Sequence, residues 1–139
     1  MAMKIVIGTK EGKCFQKELS SQEAEALYSK KLGEEFNSEV IGITGAKFLI
    51  TGGSDANGFP MRKDLPIAGK KKLLITKGIG FRGKLRGKRF GGLRVKKTVA
   101  GNTVHEKTHQ LNVKTIKGDD KVVAAFAPAP EASEEAKEE

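Results

Sequence analysis

Aromatic residues, cysteine and long apolar runs are scarce in this chain. Its 139 residues include no Trp, one Tyr and one Cys, so a single domain must build its core mainly from Val, Ile, Leu and Phe. One cysteine, Cys14, excludes an intrachain disulfide and fits a reducing compartment. We expect it to be a buried, inert strand residue. Without an apolar run of membrane-helix length (~20 residues) or secretory-signal pattern, we expect a soluble, cytoplasmic protein.

Carboxylates are missing from one long stretch, since no Asp or Glu lies between Asp64 and Glu106. Residues 62–97 carry fourteen Lys or Arg against the single acid Asp64, and the whole chain has a formal net charge of +9. A block of like charge repels itself, so a counter-charge is expected there. The pattern predicts a polyanionic partner, most often nucleic acid and less often an anionic membrane surface.

Short β-branched runs that end at Gly dominate the residues before position 118. "KIVIG" (4–8) and "GKCFQKEL" (12–19) predict a β-hairpin around "TKEG". Residues 20–33 predict one helix, with Ser20 and Glu23 as a capping box and Gly33 as the C-terminal cap. The fold class predicted is mainly β with one short helix, arranged as a small antiparallel, barrel-like domain.

Two segments are predicted along the chain. Residues 1–118 form the β-rich domain, which carries a basic Gly/Arg-rich arm at 77–92. Residues 119–139 are rich in Ala, Pro and Glu, so we expect an acidic, disordered tail that supports solubility or shields the basic block.

The arm contains G-x-G-x-x-G at Gly78, Gly80 and Gly83, the pattern of a dinucleotide-binding loop. That fold requires a helix beginning within the motif, and the glycines that follow disfavour one. It also requires an acid about 20 residues on, which is absent here. We therefore interpret the segment as an arm that neutralises phosphates. Phe81 and Phe90 within it either stack on unpaired bases or pack in the core.

"HEKTH", from His105 to His109, matches the zinc-protease pattern H-E-x-x-H. That chemistry needs both imidazoles on one face of a helix, whereas the flanking residues alternate as in strands. A loop between two strands is the simpler interpretation, and a zinc hydrolase through His105, Glu106 and His109 is kept as a remote alternative. We expect no metal, cofactor or small-molecule substrate.

The string "GGSDANGFPM" predicts a tight turn between strands. Together with "LLITKG", the Arg/Gly-rich stretch and "KKTVAGNTV", it resembles the small-subunit ribosomal protein six family of archaea and eukaryotes. The string places the family motif on Gly52, Gly53, Asp55, Gly58, Phe59, Pro60 and Met61. The likeness runs from Met3 to about Gly118. Eukaryotic members of this family carry a long basic C-terminal helix with phosphorylated serines, so the short chain here resembles the archaeal members.

The resemblance implies a structural constituent of the small ribosomal subunit, without enzymatic activity, which binds ribosomal RNA beside neighbouring ribosomal proteins. A free-standing RNA-binding module associated with translation is the alternative. In either case we expect cations of the basic block to contact phosphates, and the motif turn to help shape the RNA-facing surface. The predicted contacts are Arg62, Lys63, Lys70, Lys71, Lys72, Arg82, Lys84, Arg86, Lys88, Arg89, Arg94, Lys96 and Lys97.

Overall fold

The computed structural model describes residues 3–126 of the chain. Over this range the chain forms nine strands, two α-helices and one 3₁₀ turn, and the predicted mainly β class is confirmed. The elements are β1 (Met3–Gly8), β2 (Cys14–Leu19), α1 (Ser21–Leu27), β3 (Glu35–Asn37), the 3₁₀ turn (Ser38–Ile41), β4 (Lys47–Asp55), β5 (Lys70–Ile75), β6 (Lys84–Leu85), β7 (Lys88–Arg89), β8 (Val95–Ala100), β9 (Thr108–Lys117) and α2 (Asp119–Phe126). In this part of the chain, neither helix has the length and apolarity that a bilayer crossing requires.

A five-stranded sheet in the order β2-β1-β9-β4-β3 forms the main body. The predicted hairpin of β1 and β2 is present, with Gly8 paired to Cys14. Met3, Ile5 and Ile7 alternate with less buried residues along β1, so one face of the strand enters the core. Cys14 lies on the exposed side of β2, so its predicted burial is wrong.

The sheet does not close into a barrel, which corrects the predicted antiparallel, barrel-like arrangement. β2 and β3 form its two edges, and β5–β8 and β6–β7 are separate two-stranded sheets. β9 pairs parallel to β1 and antiparallel to β4. A parallel pair needs a long crossover connection, and here most of the chain separates β1 from β9. Short apolar runs do not encode such a crossover.

Helix α1 begins as predicted and ends earlier than predicted. Ser20 Oγ accepts a hydrogen bond from Glu23 N–H, and the Glu23 carboxylate accepts one from Ser20 N–H, completing the capping box. The helix ends at Leu27 rather than beside Gly33. The backbone beyond it bonds across space instead, since the N–H of Ser29 donates to the carbonyl of Val104 and the N–H of Val104 to that of Lys30.

The first eight residues of the segment predicted as a disordered tail form helix α2. Val122 is fully buried in the main core, and Phe126 stacks on Phe15 of β2 with ring centroids 5.2 Å apart. Val122 and Phe126 are four residues apart and therefore share one helix face. Their burial outweighs the acidic neighbours that suggested disorder. The remainder of the predicted tail, residues 127–139, lies outside the described residues.

Candidate nucleic-acid interface

Strands β5 and β8 form a two-stranded ribbon that carries five lysines. In its register Lys71 lies opposite Val99 and Leu73 opposite Lys97, so no lysine on one strand faces a lysine directly across on the other. Like charges directly opposite each other destabilise a sheet, and the observed offset avoids this. The five lysines are Lys70, Lys71, Lys72, Lys96 and Lys97. Because alternate residues point to opposite faces, both faces of the ribbon carry positive charge.

A small apolar cluster supports the ribbon and the arm. Ile75, Phe81 and Val99 are buried, and four partly buried apolar residues pack around them: Leu65, Leu73, Leu93 and Val95. Phe81 is only 7% exposed, so it belongs to this cluster and is not available for base stacking. Phe90 is 52% exposed.

The turn that contains the motif string holds one of the ribbon lysines in place. Asp55 is 3% exposed, and its Oδ2 lies 3.6 Å from Nζ of Lys70. The ammonium of Lys70 also lies 5.6 Å from the centroid of the Phe59 ring, a cation–π distance. Two residues of the motif therefore fix the start of β5.

Gly53 allows the motif turn to pack against the sheet. A Cβ at this position would lie 2.6 Å from the backbone oxygen of Gln110 and 2.9 Å from the sulfur of Met61. Met61 is buried, and its N–H donates to the carbonyl of Gly53. Gly53 lies within β4, so any side chain at this position would push β4 away from β9 and displace Met61.

The G-x-G-x-x-G glycines form a turn rather than a phosphate-binding loop of the dinucleotide type. Gly78 and Phe81 exchange two backbone hydrogen bonds, of 2.9 and 3.1 Å. Gly80 between them has φ +93°, and a Cβ there would lie 2.8 Å from Cγ1 of Val99. Strand β6 follows and no helix begins at the motif, so the helix N-terminus that binds pyrophosphate is missing here.

The tip of the arm is a tight hairpin in a locally unfavourable conformation. Lys84 lies directly opposite Arg89, so two like charges face each other. Arg86 at the turn has φ +49°, and Gly87 beside it has φ +81°. Positive φ at both central residues is typical of a type I′ turn, which favours Asn or Gly over Arg. Arg86 in this conformation costs about 1 kcal/mol.

Arg62, like Lys70, is a predicted contact whose charge a carboxylate of the protein itself neutralises. Its guanidinium donates to both carboxylate oxygens of Asp64, at 2.9 and 2.6 Å, and to the carbonyl of Ile79 at 3.2 Å. This hydrogen bonding lowers the pKa of Asp64 and raises the pKa of Arg62. The geometry assigns Arg62 a role in holding the turn at Ile79.

The remaining predicted cations lie at the surface. Apart from Lys70, which is exposed and pairs with Asp55, eleven of them are exposed and form no ion pair with another residue between 3 and 126. They are Lys63, Lys71, Lys72, Arg82, Lys84, Arg86, Lys88, Arg89, Arg94, Lys96 and Lys97. Lys77 has the same exposure and lies in the same acid-free stretch, although it is not among the predicted contacts.

The two histidines of the H-E-x-x-H string do not share a helix. His105 precedes a turn, where its Nδ1 lies 3.1 Å from Oγ1 of Thr108, and His109 lies within β9. The i, i+4 arrangement that a zinc protease needs exists only on a helix. Residues 3–126 also contain no group of three His, Cys, Asp or Glu side chains suited to a metal ion. The zinc hydrolase alternative is therefore not supported.

Comparisons with known proteins agree on one protein family, and the matches cover nearly the whole chain. The sequence model of the family described as ribosomal protein S6e matches residues 3–127. The chain belongs to this family. A small ribosomal subunit protein eS6 from Methanosphaera stadtmanae is 38% identical over 97% of this chain and 99% of its own length. The protein of the same name from Nitrosopumilus maritimus is 39% identical over 97% of this chain and 92% of its own length.

Membership in the S6e family confirms the resemblance seen in the sequence, and the similar proteins are archaeal, as the short form suggested. The family match ends at residue 127, so it includes helix α2 as well as the sheet. The name of the family denotes a ribosomal protein rather than an enzyme.

Proposed function

We propose that the protein is a structural constituent of the small ribosomal subunit in the cytoplasm, and that its basic region (residues 62–97) binds ribosomal RNA. The observation that carries the proposal is the tip of the arm. There, Arg86 adopts positive φ and Lys84 faces Arg89, both at a cost to the free protein. Local conflicts of this kind are typical of functional sites, and a polyanion between the charges removes the repulsion.

The two faces of the ribbon suit a partner that surrounds it. Lys71 and Lys97 lie on the face that carries the apolar cluster, and Lys72 and Lys96 lie on the opposite face. A duplex on one side of the ribbon would reach only one of these pairs. A folded RNA with backbones on both sides would reach both, which is the shape-based recognition typical of structured RNA.

The mechanism requires no chemistry beyond charge neutralisation and shape. Exposed Lys and Arg displace the counterions that surround phosphates, and this supplies binding free energy without sequence readout. The turn at Asp55 and Phe59 holds Lys70 at the base of the ribbon. Because this side chain is already ordered, it loses less conformational entropy on binding. Phosphate contacts then fix the orientation of the domain, while the surrounding RNA and neighbouring ribosomal proteins supply specificity.

Sedimentation of a native lysate through a sucrose gradient tests the proposal, with the protein followed by antibody. The gradient is run at low salt and again after a high-salt wash of isolated subunits. We expect the protein to travel with small subunits and to survive the wash. Protein at the top of the gradient, or stripped by modest salt, would support the free-standing RNA-binding module instead. A total loss of RNA association would contradict both.

A further inference from the structure

A cavity of about 360 Å³ lies between the arm and the end of β5. This volume lies within the range of small-ligand sites in proteins, about 300–1,000 Å³. The residues that line it are Thr76, Lys77, Arg82, Gly83, Arg89, Phe90, Gly91, Gly92 and Leu93. They precede and follow the hairpin of β6 and β7, and Arg89 belongs to β7 itself.

One wall of the cavity is an aromatic ring without an obvious structural role. Phe90 is 52% exposed, in contrast to Phe81 on the same arm at 7%. Leu93 contributes a second apolar surface and is partly buried in the small cluster below. Gly91 and Gly92 have open space where a Cβ would lie, so a flat ligand can approach the backbone beside Phe90.

The rest of the lining is positively charged and hydrogen-bonding. Lys77, Arg82 and Arg89 are exposed cations, and Thr76 adds a residue with a hydroxyl group to the lining. The lining includes no carboxylate. A ligand that fits both the apolar and the positively charged lining has a planar apolar face for Phe90 and an anionic group for the three cations.

We propose that this cavity binds one unstacked nucleotide of ribosomal RNA, with its base against Phe90 and its phosphates on Arg82, Arg89 and Lys77. The proposal rests on the function proposed above and adds a specific recognition element to it. In an A-form duplex the faces of the bases are covered by their neighbours. The partner at this point is therefore a single-stranded loop, bulge or end, which stacks on an aromatic side chain with little sequence preference.

Binding of two probes distinguishes stacking from simple charge neutralisation. The probes are a fluorescently labelled short oligouridylate, which is single-stranded, and an RNA duplex of equal length. Each is titrated with the full chain and with three variants, at several salt concentrations. Phe90→Leu keeps an apolar side chain and removes the aromatic face, whereas Phe90→Tyr keeps the face. Leu85→Ala is the matched control, since Leu85 is also exposed on the hairpin and does not line the cavity.

We expect Phe90→Leu to weaken oligouridylate binding between about 5-fold and about 150-fold, the range measured for removing one stacked base. Its salt dependence should not change, because no cation is lost. Phe90→Tyr and Leu85→Ala should bind oligouridylate like the parent chain. All variants should bind the duplex with the same affinity as the parent chain. Thermal unfolding of each variant confirms that the fold is intact.

Two results would overturn the inference. Phe90→Leu could leave oligouridylate binding unchanged, or it could weaken oligouridylate and duplex by the same factor. Neither result would affect the proposed ribosomal role, which depends on sedimentation of the parent chain with small subunits. Conversely, a parent chain that fails to travel with small subunits would overturn that role, and a normal stacking result would still show a single-strand site.

Discussion

The five-stranded sheet and the basic region differ in how far contacts within the protein bury their apolar side chains and pair their charges. The sheet and its helices enclose a core of nineteen buried apolar residues. The basic region packs on a cluster of three, in which Ile75 and Phe81 meet Val99 of β8. The four large apolar side chains that are exposed within the described residues all lie in the basic region: Leu74, Ile79, Leu85 and Phe90. The sheet is thus complete by itself, whereas the basic region leaves surface for a partner.

Charge shows the same contrast. In the sheet body, cations such as Lys4 and Lys17 pair with Glu18 and Glu23. Among the fourteen cations of residues 62–97, two pair with a carboxylate between residues 3 and 126, namely Arg62 and Lys70. If the basic region binds RNA as proposed, stability and binding are separated in this fold. Changes in the sheet should alter folding first, and changes in the basic region should alter RNA affinity with little effect on folding.

The largest effect is expected from a core truncation in the sheet. Phe48 is fully buried and packs against Phe36 with ring centroids 5.6 Å apart. Phe48→Ala should lower the free energy of unfolding by about 3–5 kcal/mol, from lost burial and the cavity left behind. Urea unfolding measures this. Leu85→Ala is the matched control, and its effect should stay within about 0.5 kcal/mol because the side chain is exposed. Equal losses at both positions would remove the contrast between the regions.

The next largest effect is expected when cations are removed from the hairpin, which should weaken the salt dependence of RNA binding. Each phosphate contact contributes about 0.7–0.9 to the slope of log Kd against log salt concentration. A variant with four cations replaced by Gln should therefore bind RNA more weakly, and its slope should be lower by about three. The four replaced residues are Lys84, Arg86, Lys88 and Arg89. Titration of small-subunit ribosomal RNA at several salt concentrations gives the slope.

The control for this charge change removes four exposed lysines elsewhere, at Lys31, Lys47, Lys107 and Lys114. It lowers the net charge by the same amount outside the basic region. We expect it to change the slope much less than the hairpin variant does. An equal change in both variants would mean that net charge, rather than the hairpin, determines binding.

A smaller effect is expected at the capping box of α1, and it depends on pH. A hydrogen bond from Lys17, followed by one from the Ser20 backbone, lowers the pKa of Glu23 below its ordinary 4.5. The stability gained from this carboxylate is therefore complete above pH 4.5 and disappears as the pH falls through the lowered pKa. At neutral pH, Glu23→Gln should cost about 1 kcal/mol, as for other cap interactions.

Urea unfolding of Glu23→Gln and the parent chain across this pH range measures the difference. Glu25→Gln on the same helix is the control, because Glu25 is exposed and forms no ion pair within the described residues. A difference for Glu23→Gln that persists at the acid end would contradict the assignment to the charged carboxylate.

The smallest effect distinguishes backbone strain from charge at the hairpin tip. Arg86→Asn and Arg86→Gln both remove the cation, but Asn tolerates the positive φ of this position better than Gln does. We expect the same loss of RNA affinity in both variants. Arg86→Asn should be the more stable hairpin by up to about 1 kcal/mol. Hydrogen exchange of the hairpin amides measures this, and identical exchange would show that position 86 carries no strain.

Local patterns predicted the parts of the fold that depend on neighbours in sequence. The hairpin around "TKEG" and the Ser20–Glu23 capping box both involve residues a few positions apart, so the sequence contains their full cause. The mainly β class follows from β-branched runs closed by Gly. The helix end at Leu27 could not be predicted, because it depends on backbone bonds to residues 102–104.

The sequence indicates which cations belong to the candidate site, but it does not indicate how they are organised. The acid-free stretch identified the cations, since charge imbalance needs no structure to be recognised. Which of them the protein neutralises depends on tertiary contacts, such as Asp55 with Lys70 across the turn. The two Phe residues of the arm look alike in sequence, and only packing against Val99 separates buried Phe81 from exposed Phe90.

Ultraviolet crosslinking of intact small subunits would show which part of this protein contacts RNA. Peptides that carry an RNA adduct are identified by mass spectrometry after digestion of the subunit. We expect adducts to concentrate between residues 62 and 97, with the sheet strands β1, β2 and β9 free of them. Adducts concentrated on those strands, with the basic region unmodified, would contradict the assignment of RNA binding to the basic region.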